Sequence, residues 1–223
     1  MLDIDTIAYI SIKSQPGQPV VGGKLKRTFD IVTASLILLG LAPLFVCLAI
    51  LVKLTDPGPI IYRHSRVGCK GRQFNCLKFR TMFVDSEYRL KLLLDADPVA
   101  HGEWERNWKL KNDPRITPFG QVLRKSSADE LPQLLNVIRG EMSLVGPRPV
   151  VVEELTRYGQ RVCLYLSSRP GITGSWQISG RSDCDYDKRV ELDTDYVSNW
   201  RLSTDLSILV RTVGAVIERN GSY

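Results

Sequence analysis

No two of the five cysteines in this chain of 223 residues stand at C-x-x-C spacing; Cys47, Cys69, Cys76, Cys163 and Cys184 are odd in number and scattered. That excludes a disulfide framework and a cysteine zinc site, and leaves reduced thiols of a cytosolic environment. Histidine is scarcer still. His64 and His101 are the only two, and neither has a matching nucleophile nearby, so Ser-His-Asp or Cys-His chemistry lacks its base. No Gly-rich loop joins a strand pattern to a helix pattern, which argues against a Rossmann fold. Repeats and low-complexity tracts are missing as well. The chain opens with the acidic MLDID and stays polar or turn-rich until Lys24, so the charged start and early apolar core of a signal peptide are not there.

Charge is absent from residues 31–52, IVTASLILLGLAPLFVCLAILV. About 22 residues at about 1.5 Å rise just cross a hydrocarbon core of about 30 Å, so a single spanning helix is one reading. Pro43 gives another. A proline inside a helix removes a backbone donor and clashes with the carbonyl four residues earlier, which predicts a kink and two arms of about 12 residues, a length that suits a re-entrant hairpin better than a span. Lys24, Lys26 and Arg27 precede the segment while Lys53, Arg63 and Arg66 follow it. Positive charge thus marks both flanks as cytoplasmic.

The hydrophobic fraction of 43% and charged fraction of 24% describe one ordinary core without extended disorder. A formal charge of +6 implies an anionic partner: nucleic acid, an anionic membrane surface or a phosphorylated substrate. The expected organisation is a mobile tail over 1–23, a re-entrant membrane helix over 24–56 and a cytosolic domain over 57–223. Within the last, IIYRHSRVG and QFNCLKFRTM read as two strands around a turn from Gly68 to Gly71. Residues 86–94 and 99–109 read as helices parted by Pro98, and NDPRITPFG as a turn-rich loop. Leu206, Leu209, Val210, Val213 and Ile217 recur at helical spacing beside Arg211 and Arg219, as in a core helix or an amphipathic helix on a membrane.

The run from Arg124 to Pro149, RKSSADELPQLLNVIRGEMSLVGPRP, carries the chemistry. Ser127 and Glu130 match a capping box, with Asp129 in the first turn of a helix where the dipole favours a carboxylate. That alone would explain all three residues structurally. The functional reading is that Asp129 acts as a nucleophile on phosphorus while Glu130 binds a divalent cation. Phosphate substrates also need fixed cations, and arginines recur in GPRP (Arg148), RPG (Arg169) and SGR (Arg181).

Together with KFRTM before it and RPGITGSWQISGR after it, this run resembles the bacterial sugar transferase family of monotopic phosphoglycosyl transferases, from about Lys24 to the C-terminus. The compact form and the terminal RNGSY are most similar to members that initiate exopolysaccharide synthesis on undecaprenyl phosphate. The resemblance implies an α+β unit on one re-entrant helix kinked at Pro43, with amphipathic interfacial helices, at the cytoplasmic face of a bacterial inner membrane. It implies Asp129 as covalent nucleophile, Glu130 as the magnesium-associated acid, and Arg124, Arg148 and Arg169 near the phosphates, with Lys78, Arg80 and Arg181 as further substrate-site residues. Mg2+ is the implied cofactor. A UDP-hexose, undecaprenyl phosphate and the bilayer are the implied partners, without nucleic acid, and a homodimer is the one assembly admitted. Two departures stand out: Ala42 replaces the serine that often precedes the kink proline, and Ala128 replaces a large apolar residue.

Two competing readings are a metal-dependent glycosyltransferase using Asp183 and Asp185, and a non-enzymatic basic membrane-associated protein. The first would release UDP rather than UMP. Against the second, no recognition helix, zinc finger or aromatic nucleic-acid motif accompanies the charge.

Overall fold

The apolar segment folds as two helices, α1 (Gly23–Gly40) and α2 (Ala42–Thr55), bent by 66° at the intervening residue in the computed structural model, which describes residues 19–107, 110–179 and 185–217. The break expected at Pro43 lies at Leu41 instead, whose N–H closes α1 on the Ile37 carbonyl at 2.9 Å. Pro43 stands in the first turn of α2, where the missing N–H has no intrahelical acceptor to lose. Its ring would still clash with the Leu39 carbonyl of a continuous helix, so the chain breaks just ahead of it. Among the described residues no single helix is long and apolar enough to cross a membrane.

α1 is folded inside out. Its buried residues are Lys26, Asp30 and Ala34, one stripe at i, i+4, i+8. Leu25, Val32, Leu36 and Leu39 are exposed, at 62%, 52%, 65% and 76%. Lys26 Nζ lies 2.6 Å from Asp205, and Asp30 accepts from the Leu144 N–H at 3.1 Å through Oδ1, while its Oδ2 is buried without a hydrogen-bond partner among the described residues. Asp205 also accepts from the Tyr196 hydroxyl (2.6 Å) and the Trp200 indole (3.1 Å).

The described chain divides into two compact units. The first comprises residues 19–41, 63–77 and 132–217; the second comprises 42–62 and 78–131. Strands β1 (Ile61–Val67) and β2 (Gln73–Phe79) pair as expected, and the unit boundary falls inside both. Their five-residue connection is too short for a parallel crossover, so they form a hairpin. Its turn puts Lys70 (φ 57°) and Gly71 (φ 73°) in the left-handed region.

In the first unit, β3 (Ser143–Val145) and β4 (Gly171–Thr173) run parallel, Ser143 opposite Gly171 and Val145 opposite Thr173. Gly146 and Gly171, the glycines of GPRP and RPG, let these backbones meet: a Cβ on Gly171 would sit 2.1 Å from the Gly146 nitrogen. One apolar core gathers Phe74, Leu134, Val137, Met142, Leu144, Tyr196 and Ile208. A second gathers Val67, Val150, Leu155, Tyr158, Val162 and Tyr165. In the last helix, Leu202–Ile217, Ile208 is in the core with Leu209 packed against it, while Leu206, Val210 and Val213 of the apolar stripe read from the sequence are exposed.

In the second unit, Leu48, Val52, Phe79 and Leu123 form the core. The two helices around Pro98 are present as Ser86–Ala96 and Pro98–Asn107. The expected loop NDPRITPFG ends early, because Thr117 caps a helix at Pro118–Lys125 by accepting from the Gly120 N–H at 2.9 Å. Proline at the first position and threonine before it are start signals that outweigh the turn-rich composition.

Removing Asp205 strands the Lys26 ammonium in a dry site, so Asp205→Ala is expected to cost about 3–5 kcal/mol, whereas the matched apolar pair Lys26→Met with Asp205→Leu costs much less. Thermal unfolding of both variants in detergent checks this; equal losses would show that the charge itself is not what needs its partner.

Candidate active site

Asp129 and Glu130 lie in the second unit, in a single 3-10 turn, Ala128–Glu130. The expected capping box is not formed. Ser127 sits in the left-handed region (φ 56°) and makes no side-chain cap, and the following helix begins only at Gln133. Leu131-Pro132 accounts for this, since a proline at 132 supplies no N–H for a helical turn starting at Ala128. The turn is closed by the Glu130 N–H to the Ser127 carbonyl at 3.2 Å. The helix-start field assumed for Asp129 is therefore absent, and other groups set its charge.

Lys78 Nζ is 2.5 Å from Glu130 Oε1 and 3.9 Å from Asp129 Oδ2. Glu130 is about a third exposed at the side chain, Asp129 12%. Burial pushes the Asp129 carboxyl up to about 6, helped by neighbouring Glu130 and opposed by Lys78 and Arg124. A carboxylate so placed is ionised at neutral pH yet poorly solvated, a state in which it attacks readily.

Arg124 reaches this turn because its helix comes close to the strand leaving KFRT. A Cβ on Gly120 would stand 2.1 Å from the Thr81 carbonyl, so only glycine permits the approach. Arg124 Nε then donates to Thr81 Oγ1 at 2.9 Å. Arg80 is engaged elsewhere, with Nη1 2.8 Å from Asp56 Oδ2 and Nη2 on the Asp56 carbonyl. The structure thus brings together Asp129, Glu130, Lys78 and Arg124, and ties Arg80 to the DPGP turn.

Arg148 and Arg169 belong to the first unit. Arg148 stacks over Trp176, 5.4 Å from the ring centre, and Arg189 shares that ring at 4.8 Å. The Arg148 N–H donates to Asp193, which also accepts from Tyr158; burial pushes the Asp193 carboxyl up to about 7. Arg169 Nε donates to the Gly140 carbonyl at 2.9 Å. Arg181 and Asp183 lie outside the described residues. Asp185 caps the helix Tyr186–Ser198.

Sequence reasoning missed Thr81, Asp56 and Asp193. The first sits inside KFRTM and could have been suspected as a hydroxyl acceptor. Asp56, in DPGP, and Asp193 belong to no motif singled out from the sequence.

Among the described residues no three His, Cys, Asp or Glu side chains gather into a metal cage. Two adjacent carboxylates do fit Mg2+, which is typically held by one or two carboxylates together with substrate phosphates and waters.

The family model for bacterial sugar transferases matches residues 21–219. The undecaprenyl-phosphate galactose phosphotransferase of Salmonella typhimurium is 54% identical over 89% of this chain. The exopolysaccharide production protein ExoY of Rhizobium meliloti is 53% identical over 91% of the chain and 90% of its own length. The UDP-glucose:undecaprenyl-phosphate glucose-1-phosphate transferase of Escherichia coli is 41% identical over 85%. The chain spans 42% of the Salmonella protein and 39% of the Escherichia coli one.

A carboxyl whose folded pKa exceeds its unfolded value binds its proton more tightly when folded, so stability falls as pH rises through that window. For Asp129 the window runs from 3.8 to about 6. Asp129→Asn is therefore expected to match wild type below pH 4 and to be more stable above pH 6, by on the order of 3 kcal/mol. Denaturant midpoints across that range check it; a constant difference would place the Asp129 carboxyl near its ordinary value.

Proposed function

The chain belongs to the bacterial sugar transferase family, and on that premise we propose that it moves a hexose 1-phosphate, galactose or glucose, from a UDP-sugar to undecaprenyl phosphate. UMP leaves, and the product begins an exopolysaccharide at the cytoplasmic face of the inner membrane. The observation that carries this is a buried carboxylate, Asp129, beside a lysine and a second acid in a chain of this family.

An Asp129 oxygen attacks the phosphorus that bears the sugar. The bond from that phosphorus to the bridging oxygen breaks, and UMP leaves with the electron pair. An oxygen of undecaprenyl phosphate then attacks the acyl phosphate, its phosphorus–oxygen bond to Asp129 breaks, and the carboxylate is restored. Lys78 holds Glu130 and faces Asp129, which offsets the repulsion between two acids and a diphosphate. Mg2+ held by Glu130, with Asp129 beside it, would screen the phosphates when bound. Arg124 is steered by Thr81 toward the same turn, and Arg148 on Trp176 is a planar donor suited to a phosphate.

Membrane attachment is supported by the inside-out α1, whose apolar face is outermost. Re-entry through the break at Leu41 keeps the Lys24 and Lys53 ends on one side. Reporters at the two termini are therefore expected in the cytoplasm together, and periplasmic labelling of the N-terminus in intact cells would instead establish a spanning helix.

Asp129→Asn keeps the shape but not the anion, so turnover is expected to fall by roughly three orders of magnitude or more with the fold retained. Excess chelator is expected to stop wild-type turnover. Substantial activity in purified Asp129→Asn would remove the nucleophile assignment, and full activity in chelator the metal one. Release of UDP in place of UMP would favour the glycosyltransferase reading.

A further inference from the structure

The first unit contains a cavity of about 410 Å3, none of whose lining residues belongs to the Asp129 turn. Lys70 and Arg72 enter it from the β1–β2 turn, Arg139 from the end of the helix Gln133–Arg139, and Arg169 from the RPG loop. Among the described residues none of these four cations has a carboxylate within ion-pair distance. The acid in the lining, Glu141, accepts instead from the Asn136 amide at 2.6 Å. Four positive charges around one concavity, three of them on exposed side chains and Arg169 held on the Gly140 carbonyl, repel one another, and the arrangement gains most when an anion with several acceptor oxygens enters.

The backbone prepares the place. Lys70 and Gly71 adopt positive φ in the turn, and Gly140 does so at the helix end (φ 84°), which aims two chain reversals at the same space. Val20, three residues before α1, also lines the cavity. The site therefore opens beside the foot of a helix whose Leu25 is 62% exposed. Juxtaposed basic and apolar surfaces suit an amphiphile with a phosphate head.

We propose that this cavity binds a phosphate ester, with Lys70, Arg72, Arg139 and Arg169 as its donors, and that a membrane lipid bearing a phosphate headgroup is the source of that ester. This goes beyond the transfer at Asp129, since it gives a role to Lys70, Arg72 and Arg139, which that transfer does not use, and its test reads binding alone.

Cys69 lines the same cavity and is half-buried, so its alkylation rate reports occupancy. Burial raises the thiol's pKa, outweighing the nearby cations, and labelling is accordingly run at alkaline pH. The full chain in detergent is labelled alone, with inorganic phosphate, with UDP, and with micelles containing either phosphatidic acid or only phosphatidylcholine. Cys163, which lies outside the cavity, is the internal control. At ten times the dissociation constant, phosphatidic acid is expected to slow Cys69 labelling roughly tenfold while phosphatidylcholine does not. The protection is expected to vanish in Lys70→Asn/Arg72→Gln/Arg139→Gln, where asparagine tolerates the positive φ. An unchanged Cys163 rate shows that this variant is folded.

Protection by inorganic phosphate or UDP but not by the lipid would overturn the lipid source. No protection by any phosphate, or equal protection by sodium chloride at matched ionic strength, would overturn the site. Either result leaves the chemistry at Asp129 standing, because no turnover is measured.

Discussion

A lysine buried against an aspartate governs how this chain treats its apolar helix. Lys26 and Asp205 are nearly inaccessible, at 5% and 1%, and a bare charge at either position would cost several kcal/mol. Pairing them, with Tyr196 and Trp200 adding donors to the carboxylate, joins the first turn of α1 to the first turn of the last helix. Asp30, one turn further along α1, receives the Leu144 N–H at the start of the parallel pair. Once the polar stripe of α1 is taken up inside the protein, its leucines and valines have only the outside to face. The apolar face of α1 is thereby presented to the surroundings, which is the reverse of a soluble amphipathic helix.

A comparable tension operates at Asp129. The turn that carries it offers no helix dipole, and burial alone would drive the carboxyl toward neutrality. Lys78 and Arg124 pull the other way, and the balance near 6 leaves an anion at neutral pH that water hardly stabilises. Those two cations depend on local geometry: Lys78 lies near the end of β2, and Arg124 gets close only because Gly120 lacks a side chain. Site and scaffold are coupled through one close backbone contact.

Much of this could be read from residues, and the failures have identifiable physics. The β1–β2 hairpin, the helices either side of Pro98 and the break in the apolar run follow from local rules acting over a few residues. The break was misplaced by two residues because a proline is tolerated in a first turn and expels the helix that precedes it. The capping box failed for a similar reason, as Pro132 truncates the turn that Ser127 and Glu130 would have opened. Asp129, Glu130, Lys78 and Arg124 were singled out from motifs, and the structure gathers them. Their electrostatics was illegible, because burial is a property of packing and has no local signature. Asp56, which holds Arg80, and Asp193, which holds the Arg148 backbone, were invisible for the same reason. Each meets its partner across more than twenty residues of sequence.

Covalent capture of the sugar phosphate by Asp129 is the claim on which the rest turns. Wild-type enzyme given a UDP-hexose and Mg2+ but no lipid acceptor should gain the mass of one hexose phosphate, located by peptide mass spectrometry on the segment that contains Asp129. Adding undecaprenyl phosphate should return the protein to its unmodified mass. UMP formed over many turnovers only when acceptor is present, with no adduct at any time without it, would mean direct transfer between the two substrates and would contradict the account.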